Sequence, residues 1–332
     1  MARPIKVNKP RYLMDLNDES HWLYTASPPI SRPDGKPSEE MAVFIMPDNS
    51  GQRLYAMTDS IMMSTDGESN MMGLHEHRVG YETWFVDSNA MDLYVMGKVT
   101  RIEPGTFFHL QPYMIHRMYN YGDVKFRGFF QHWNGVDNVP ITQLMDHYQP
   151  GLKAKFAAAG LVTDNDHFRH EPMDYERAPN EEVYPVRHPS RPIAKFELDG
   201  VTVKLMVGRW ECGGVREINY LEFDEGFKAE TLEFTPSRNL FYVREGQIKF
   251  KIFDDEFIAG PENMVDIPKY LPFSIEALAK SAMYDIGGMT CWYDFLHDYL
   301  TIKKKEPERL KDTAAIEELM KFNKWQFKTF GL

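Results

Sequence analysis

His75, His77, Glu82 and His116 stand at spacings that let four metal-ligating side chains meet at one point. Successive side chains of a strand alternate faces, so His75 and His77 point the same way. Arg78-Val79-Gly80 can turn the chain, and Glu82 then opens a second strand through Val86, rich in β-forming residues. Asn89, tolerant of left-handed backbone, closes it. Gly105 opens a third strand, Thr106 to Leu110, after which the turn Gln111-Pro112-Tyr113 delivers His116. Three imidazoles and one carboxylate form a borderline-hard donor set for one divalent metal ion per chain. Ligand type alone does not select among Mn(II), Fe(II), Co(II), Ni(II) and Zn(II), of which Mn(II) or Fe(II) is taken as the expected metal. A six-coordinate ion with four protein ligands keeps two positions, which fit a small-molecule substrate with two oxygen donors.

Positioning these residues takes a short β-scaffold, and the chain carries that scaffold twice. At the constant offset that carries Asn89 onto Gly246, Trp84-Phe85-Val86 falls on Phe241-Tyr242-Val243, Pro104 on Pro261, Leu110 on Ile267 and Tyr113 on Tyr270. These are strand and turn positions of one supersecondary unit used twice. The four ligand positions fall on Leu232, Phe234, Asn239 and Phe273, which offer neither imidazole nor carboxylate. The second copy is therefore expected to hold no metal and to serve a structural or oligomerising role.

The two-part pattern resembles the cupin superfamily. Its first motif reads as His75, His77, Glu82 and Asn89, with Asn where that family usually has Gly. Its second reads as Gly105, then Gln111-Pro112-Tyr113-Met114-Ile115-His116, then Asn120. Gln111 and Tyr113 stand where Pro and Gly are usual. The resemblance implies an all-β fold of two tandem jelly-roll-like cupin barrels, with metal in the first and a degenerate second. The expected organisation is an N-terminal arm over 1–40, a metal-binding barrel over 41–140, a helical and Pro-rich linker over 141–194, a metal-free barrel over 195–290 and C-terminal helices over 291–332.

Other residues are weighed by strand parity. In the strand Phe126 to Trp133, a solvent-facing Lys125 and Arg127 would turn His132 inward, making it the candidate acid or base. Trp84 shares the Glu82 face and Met118 the His116 face, so Trp84, Tyr113 and Met118 are candidate substrate contacts. His109 has the opposite parity to Phe108 and Leu110 and is expected to point outward. His167 and His170 read as members of a solvated polar loop. Asp312-Thr313 is a cap for a helix carrying Ile316, Leu319, Met320 and Phe322 at helical spacing.

Composition bounds the function. The 332 residues suffice for two domains, 43% hydrophobic and 14% aromatic. A net charge of −11 argues against nucleic acid or an anionic membrane as partner through charge. No apolar run reaches the length of a membrane span, and the start of the chain lacks a signal-peptide core, so a cytoplasmic location is the default expectation. Cys212 and Cys291 read as reduced thiols. The degenerate second barrel and the arm point to a homodimer or higher homo-oligomer.

Cupins with such ligands include dioxygenases, isomerases, decarboxylases and hydrolases of cyclic diketones. A Met118 thioether beside the metal would be exposed to sulfoxidation by an activated iron–oxygen species, which favours chemistry without oxygen. The preferred expectation is hydrolytic C–C cleavage of a small β-diketone. The alternatives are an Fe(II)-dependent ring-cleaving dioxygenase of a small aromatic compound, a keto-sugar isomerase, and a non-catalytic binding cupin.

Overall fold

The computed structural model describes residues 12–21, 24–26, 40–45, 54–60, 75–77, 81–120, 125–131, 167–169, 185–214, 216–233, 235, 237–287 and 292–332. The expected linker helices in 141–161 and most of the N-terminal arm lie outside them. The chain divides into two compact units, one containing Glu19–His188 and the other Pro189–Leu332 together with Lys9–Asp18. Among the described residues each unit is built from one seven-stranded and one five-stranded sheet. Every described strand pairing is antiparallel.

In the first unit the seven-stranded sheet contains Tyr81–Ser88, flanked by Phe107–Leu110 and Lys125–Gln131. The five-stranded sheet centres on His116–Asn120, flanked by His75–His77 and Met91–Val95. Alternation decides which side chains enter the space between them. Met91, Leu93 and Val95 are buried while Asp92 and Tyr94 are only partly so, which is the pattern of a sheet packed on one face.

The repeat is preserved to the residue. Met91–Val95 corresponds to Ile248–Ile252, Lys98–Ile102 to Asp255–Ala259, and His116–Asn120 to Phe273–Ala277. The turns match as well. Asn89 and Gly246 have φ of 57° and 73°, Met96 and Phe253 47° and 57°, Gly105 and Glu262 84° and 63°, Tyr113 and Tyr270 67° and 69°. Left-handed backbone is thus set by the hairpin geometry, and residue type follows only where space demands it. A Cβ on Gly246 would meet Ser281 Oγ at 2.2 Å and the Lys280 carbonyl oxygen at 2.4 Å, whereas one on Gly105 would meet nothing within 4 Å.

The second unit fills its interior with aromatic side chains. Phe241, Phe250, Phe273, Trp292, Phe295, Trp325, Phe327 and Phe330 belong to one buried cluster. The helix Trp292–Lys305 contributes Trp292 and Phe295 to it. Beyond the helix Thr313–Phe322, capped by the Asp312 carboxylate accepting from the Ala315 N–H at 3.2 Å, the chain returns as the strand Phe327–Thr329. That strand pairs with Lys228–Thr231 and carries Phe327 inward, so the end of the chain is core as well as tail. Sequence reading placed helices there and missed this strand. The arm contributes too, since Leu13–Asp15 adds an edge strand beside Asn263–Ile267.

Asn239 and Phe273, at second-unit positions corresponding to Glu82 and His116, are both buried. Asn239 exchanges side-chain hydrogen bonds with Gln326, donating from Nδ2 at 3.2 Å and accepting at Oδ1 at 2.5 Å. Phe273 packs edge-on against Phe241 and Phe327. An amide pair and packed rings occupy the places that the first unit gives to a carboxylate and an imidazole.

Candidate metal centre

Glu82 lies on the seven-stranded sheet and His77 and His116 on the five-stranded sheet, so the cluster forms only when the two sheets of the first unit face each other. Parity selects the inward face. In register, Glu82 stands opposite Leu110 and Trp84 opposite Phe108, and all four side chains are buried. Glu82 Oε2 is 2.9 Å from His116 Nε2 and 3.2 Å from His77 Nε2. The three side chains are between 0% and 3% exposed. One ligand atom from each lies within 4.8 Å of the others. The rings of His77 and His116 are 5.6 Å apart, centroid to centroid.

Hydrogen bonding fixes the chemical state of this group. His116 Nδ1 is 2.8 Å from the Met114 carbonyl oxygen, and a carbonyl can only accept, so Nδ1 carries hydrogen. In the neutral ring, Nε2 then presents a lone pair to the Glu82 oxygen. Two lone pairs at hydrogen-bond distance repel unless a cation or a proton sits between them. A carbonyl holding the far ring nitrogen is also the usual way to orient a metal-ligating imidazole. The donor set therefore fits a divalent metal ion, and His77, Glu82 and His116 are the described residues that could hold it.

Burial alone would push the Glu82 carboxyl up, but positive charge on His116 and then on His77 beside it holds it well below the usual carboxylate range, the same direction in which a cation among these atoms would act. The other Glu82 oxygen, Oε1, accepts a hydrogen bond from Trp84 Nε1.

The remaining expected site residues take varied places. The backbone of His75 pairs with that of His116 in register, two positions before His77 in the same strand. Met118 is buried, two positions beyond His116. Trp84 is 2% exposed, and its indole N–H is turned to Glu82, an interaction the sequence reading missed. The signal was available, because strand parity places residue 84 beside residue 82. Tyr113 is 62% exposed in a left-handed turn, its backbone N–H donating to the His77 carbonyl at 2.6 Å. His132 lies outside the described residues, as do His170 and Cys291. The backbone of His167 pairs with that of His77 in the strand His167–Arg169, where a solvated loop was expected.

His109 is on the face opposite the cluster, but that face is covered rather than open. It is 2% exposed, its Nδ1 lies 2.8 Å from Thr83 Oγ1, and its ring stacks on Tyr81 at 6.0 Å. The strand Val186–Arg187 pairs alongside Phe107–Leu110 and extends the same sheet, and the His109 backbone N–H donates to the Pro185 carbonyl at 2.9 Å. Sequence reading could not supply this, because residues 186–187 are distant in the chain.

No protein-family model matches the chain. No curated protein matches it in sequence either. Among solved structures, a formate complex of oxalate decarboxylase from Lactobacillus farciminis superposes with a TM-score of 0.52 at 13% identity. That match covers 84% of this chain and 86% of the other. A variant of oxalate decarboxylase from Bacillus subtilis gives a TM-score of 0.52 at 13% identity, over 84% of this chain and 77% of that one. These likenesses show the fold, and the chain has the tandem cupin fold. Among the described residues no helix is long and apolar enough to cross a membrane.

Proposed function

We propose that the first unit holds one divalent metal ion, Mn(II) or Fe(II), through His75, His77, Glu82 and His116, and cleaves a C–C bond of a small β-dicarbonyl compound by adding water. The observation that carries this reading is the placement of Glu82 Oε2 at 2.9 and 3.2 Å from two imidazole nitrogens in a buried interior. His75 joins the set on strand periodicity, being two positions from His77.

Such an ion supplies Lewis acidity to a substrate presenting two oxygen donors. The protein's own residues do the rest. The His116 imidazole and the Glu82 carboxylate are fixed before substrate arrives, because the Met114 carbonyl and the Trp84 indole hold their outer atoms. Met118 and the buried strand residues Phe108 and Leu110 provide apolar surroundings that exclude bulk water. His132 is the proposed proton carrier. In the hydrolytic step, a water oxygen bonds to one carbonyl carbon and the adjacent C–C bond breaks. Its electron pair passes to the neighbouring carbon, which takes up a proton. In a cyclic substrate the product is one ring-opened molecule that carries both a carboxylic acid and a ketone, and no oxidant is consumed.

C–C bond cleavage is also the reaction that the name of the structural neighbours denotes, although the likeness itself extends to the fold alone. The test is turnover of a cyclic β-diketone by anaerobically purified protein of known metal content, with and without oxygen. Oxygen-independent product carrying one added water supports the proposal. Oxygen-dependent turnover would replace it with a ring-cleaving dioxygenase, and a product of unchanged mass with an isomerase. Wild-type protein that takes up neither Mn(II) nor Fe(II) would overturn it.

A further inference from the structure

We propose that Trp84 is a positioning residue of the metal centre: its indole N–H holds Glu82 Oε1 so that the carboxylate offers only Oε2 to the ion. This rests on the metal reading of Glu82 above.

A glutamate side chain has three rotatable bonds and two equivalent oxygens, so by itself it neither fixes its direction nor chooses between one-oxygen and two-oxygen ligation. Here the choice is made. Oε1 accepts from Trp84 Nε1 while Oε2 faces His77 and His116. An indole N–H donates only, so Trp84 cannot compete as a ligand. It is also rigid and 2% exposed, and its donor therefore stays where the packing puts it. Across the sheet, the residue in register with Trp84 on the strand Lys125–Gln131 is Gly128, which brings no side chain against the indole. One-oxygen ligation by Glu82 leaves an additional coordination position for a substrate with two oxygen donors.

The second unit supplies an internal comparison. The position corresponding to Glu82 is Asn239, and the one corresponding to Trp84 is Phe241. Where the carboxylate is gone, the indole donor is gone with it. Phe241 only packs, 5.8 Å from the rings of Phe250 and Phe273. Gly128 is likewise replaced, by Asp285, whose carboxylate accepts from Trp292 Nε1 at 2.9 Å. If Trp84 served merely as core filling, the ring without its N–H would do as well in the first unit as Phe241 does in the second.

The decisive variant is Trp84→Phe, the change that the second unit already contains. Mn(II) affinity is measured by competition titration, the electron paramagnetic resonance spectrum of bound Mn(II) is recorded, and thermal unfolding of the metal-free proteins is compared. The expected result is an affinity loss of about 10- to 100-fold and an altered spectrum, beside a lowered unfolding midpoint, since the smaller ring leaves a cavity and a buried carboxylate oxygen without its donor. Wild-type affinity and spectrum in Trp84→Phe would overturn the proposal.

A second measurement needs neither metal nor a change at Trp84. In the metal-free protein, the indole N–H resonance of Trp84 should move upfield in Glu82→Gln, because the acceptor loses its charge. An unmoved resonance overturns the proposal even if Trp84→Phe fails to fold. A moved resonance in a wild-type protein that binds no Mn(II) would sustain the Trp84–Glu82 contact while removing the metal reading.

Discussion

His116 Nε2 lies 2.9 Å from Glu82 Oε2, and the two side chains come from different sheets. The Met114 carbonyl, on the other side of the ring, leaves Nε2 free of hydrogen in the neutral imidazole. A buried lone pair and a buried carboxylate brought this close are stabilised by a cation between them. Protein purified without oxygen is expected to carry about one equivalent of Mn or Fe per chain, as structural ligation of this kind couples binding to the folded state. Elemental analysis should show that metal lost in His116→Ala and in Glu82→Gln. Retention of metal by either variant would remove that residue from the ligand set.

Glu217 and Asp285 form a second buried group, in the C-terminal unit. Glu217 accepts from the Tyr293 N–H at 3.1 Å, and Asp285 from the Trp292 indole at 2.9 Å, so both meet the start of the helix Trp292–Lys305. Burial pushes the Asp285 carboxyl up to about 8 and the Glu217 carboxyl up to about 7. Both folded values exceed the unfolded ones, so the folded chain binds more protons between pH ~4 and ~8 and its stability falls as pH rises through that window. The urea midpoint is expected to drop from pH 5 to pH 8 and to level off above that. Asp285→Asn, which keeps an oxygen acceptor for Trp292, should flatten the profile. An unchanged slope in that variant would show that Asp285 is ionised throughout.

The reciprocal Asn239–Gln326 pair predicts an asymmetric cycle. Gln326→Leu leaves a buried amide without its partner and should cost about 1–3 kcal/mol. Replacing both residues by Leu should recover most of that loss, as read by denaturant unfolding. Asn239→Glu should gain no Mn(II) binding, since Phe273 stands where His116 would be needed.

Tyr113 holds φ at 67°, a conformation that costs a non-glycine residue about 1–2 kcal/mol. Its side chain is largely in solvent, so few contacts offset that strain. Tyr113→Gly is expected to raise stability by about 1 kcal/mol in thermal unfolding. A loss of substrate affinity in the same variant would identify the ring as a substrate contact, and unchanged KM would remove it from that role.

Much of this was legible in the chain. The β-forming run Glu82–Val86, the turn residues Asn89 and Gly105, and the constant offset between the halves together specify β-strands arranged twice. Local geometry makes these features readable, since a hairpin needs left-handed backbone at fixed points and a one-sided sheet needs period-two burial. The offset also showed which copy lacks ligands. The burial of His109 escaped notice because strand parity gives the face a side chain stands on and not whether that face is covered. The strand Phe327–Thr329 escaped notice because it is only three residues long and acquires its partner from Lys228–Thr231.

The sequence by itself determined the residue types at the centre and the faces on which they stand, because both follow from spacing along single strands. Only the tertiary structure decided that Glu82 reaches across from one sheet to the imidazoles of the other, and that Met114 and Trp84 hold the outer atoms of His116 and Glu82. It also decided that Gln326 closes the corresponding position of the second unit. Such relationships depend on how sheets face each other and where the chain end returns. Those are set by burial summed over the whole unit, and no local window of sequence contains them.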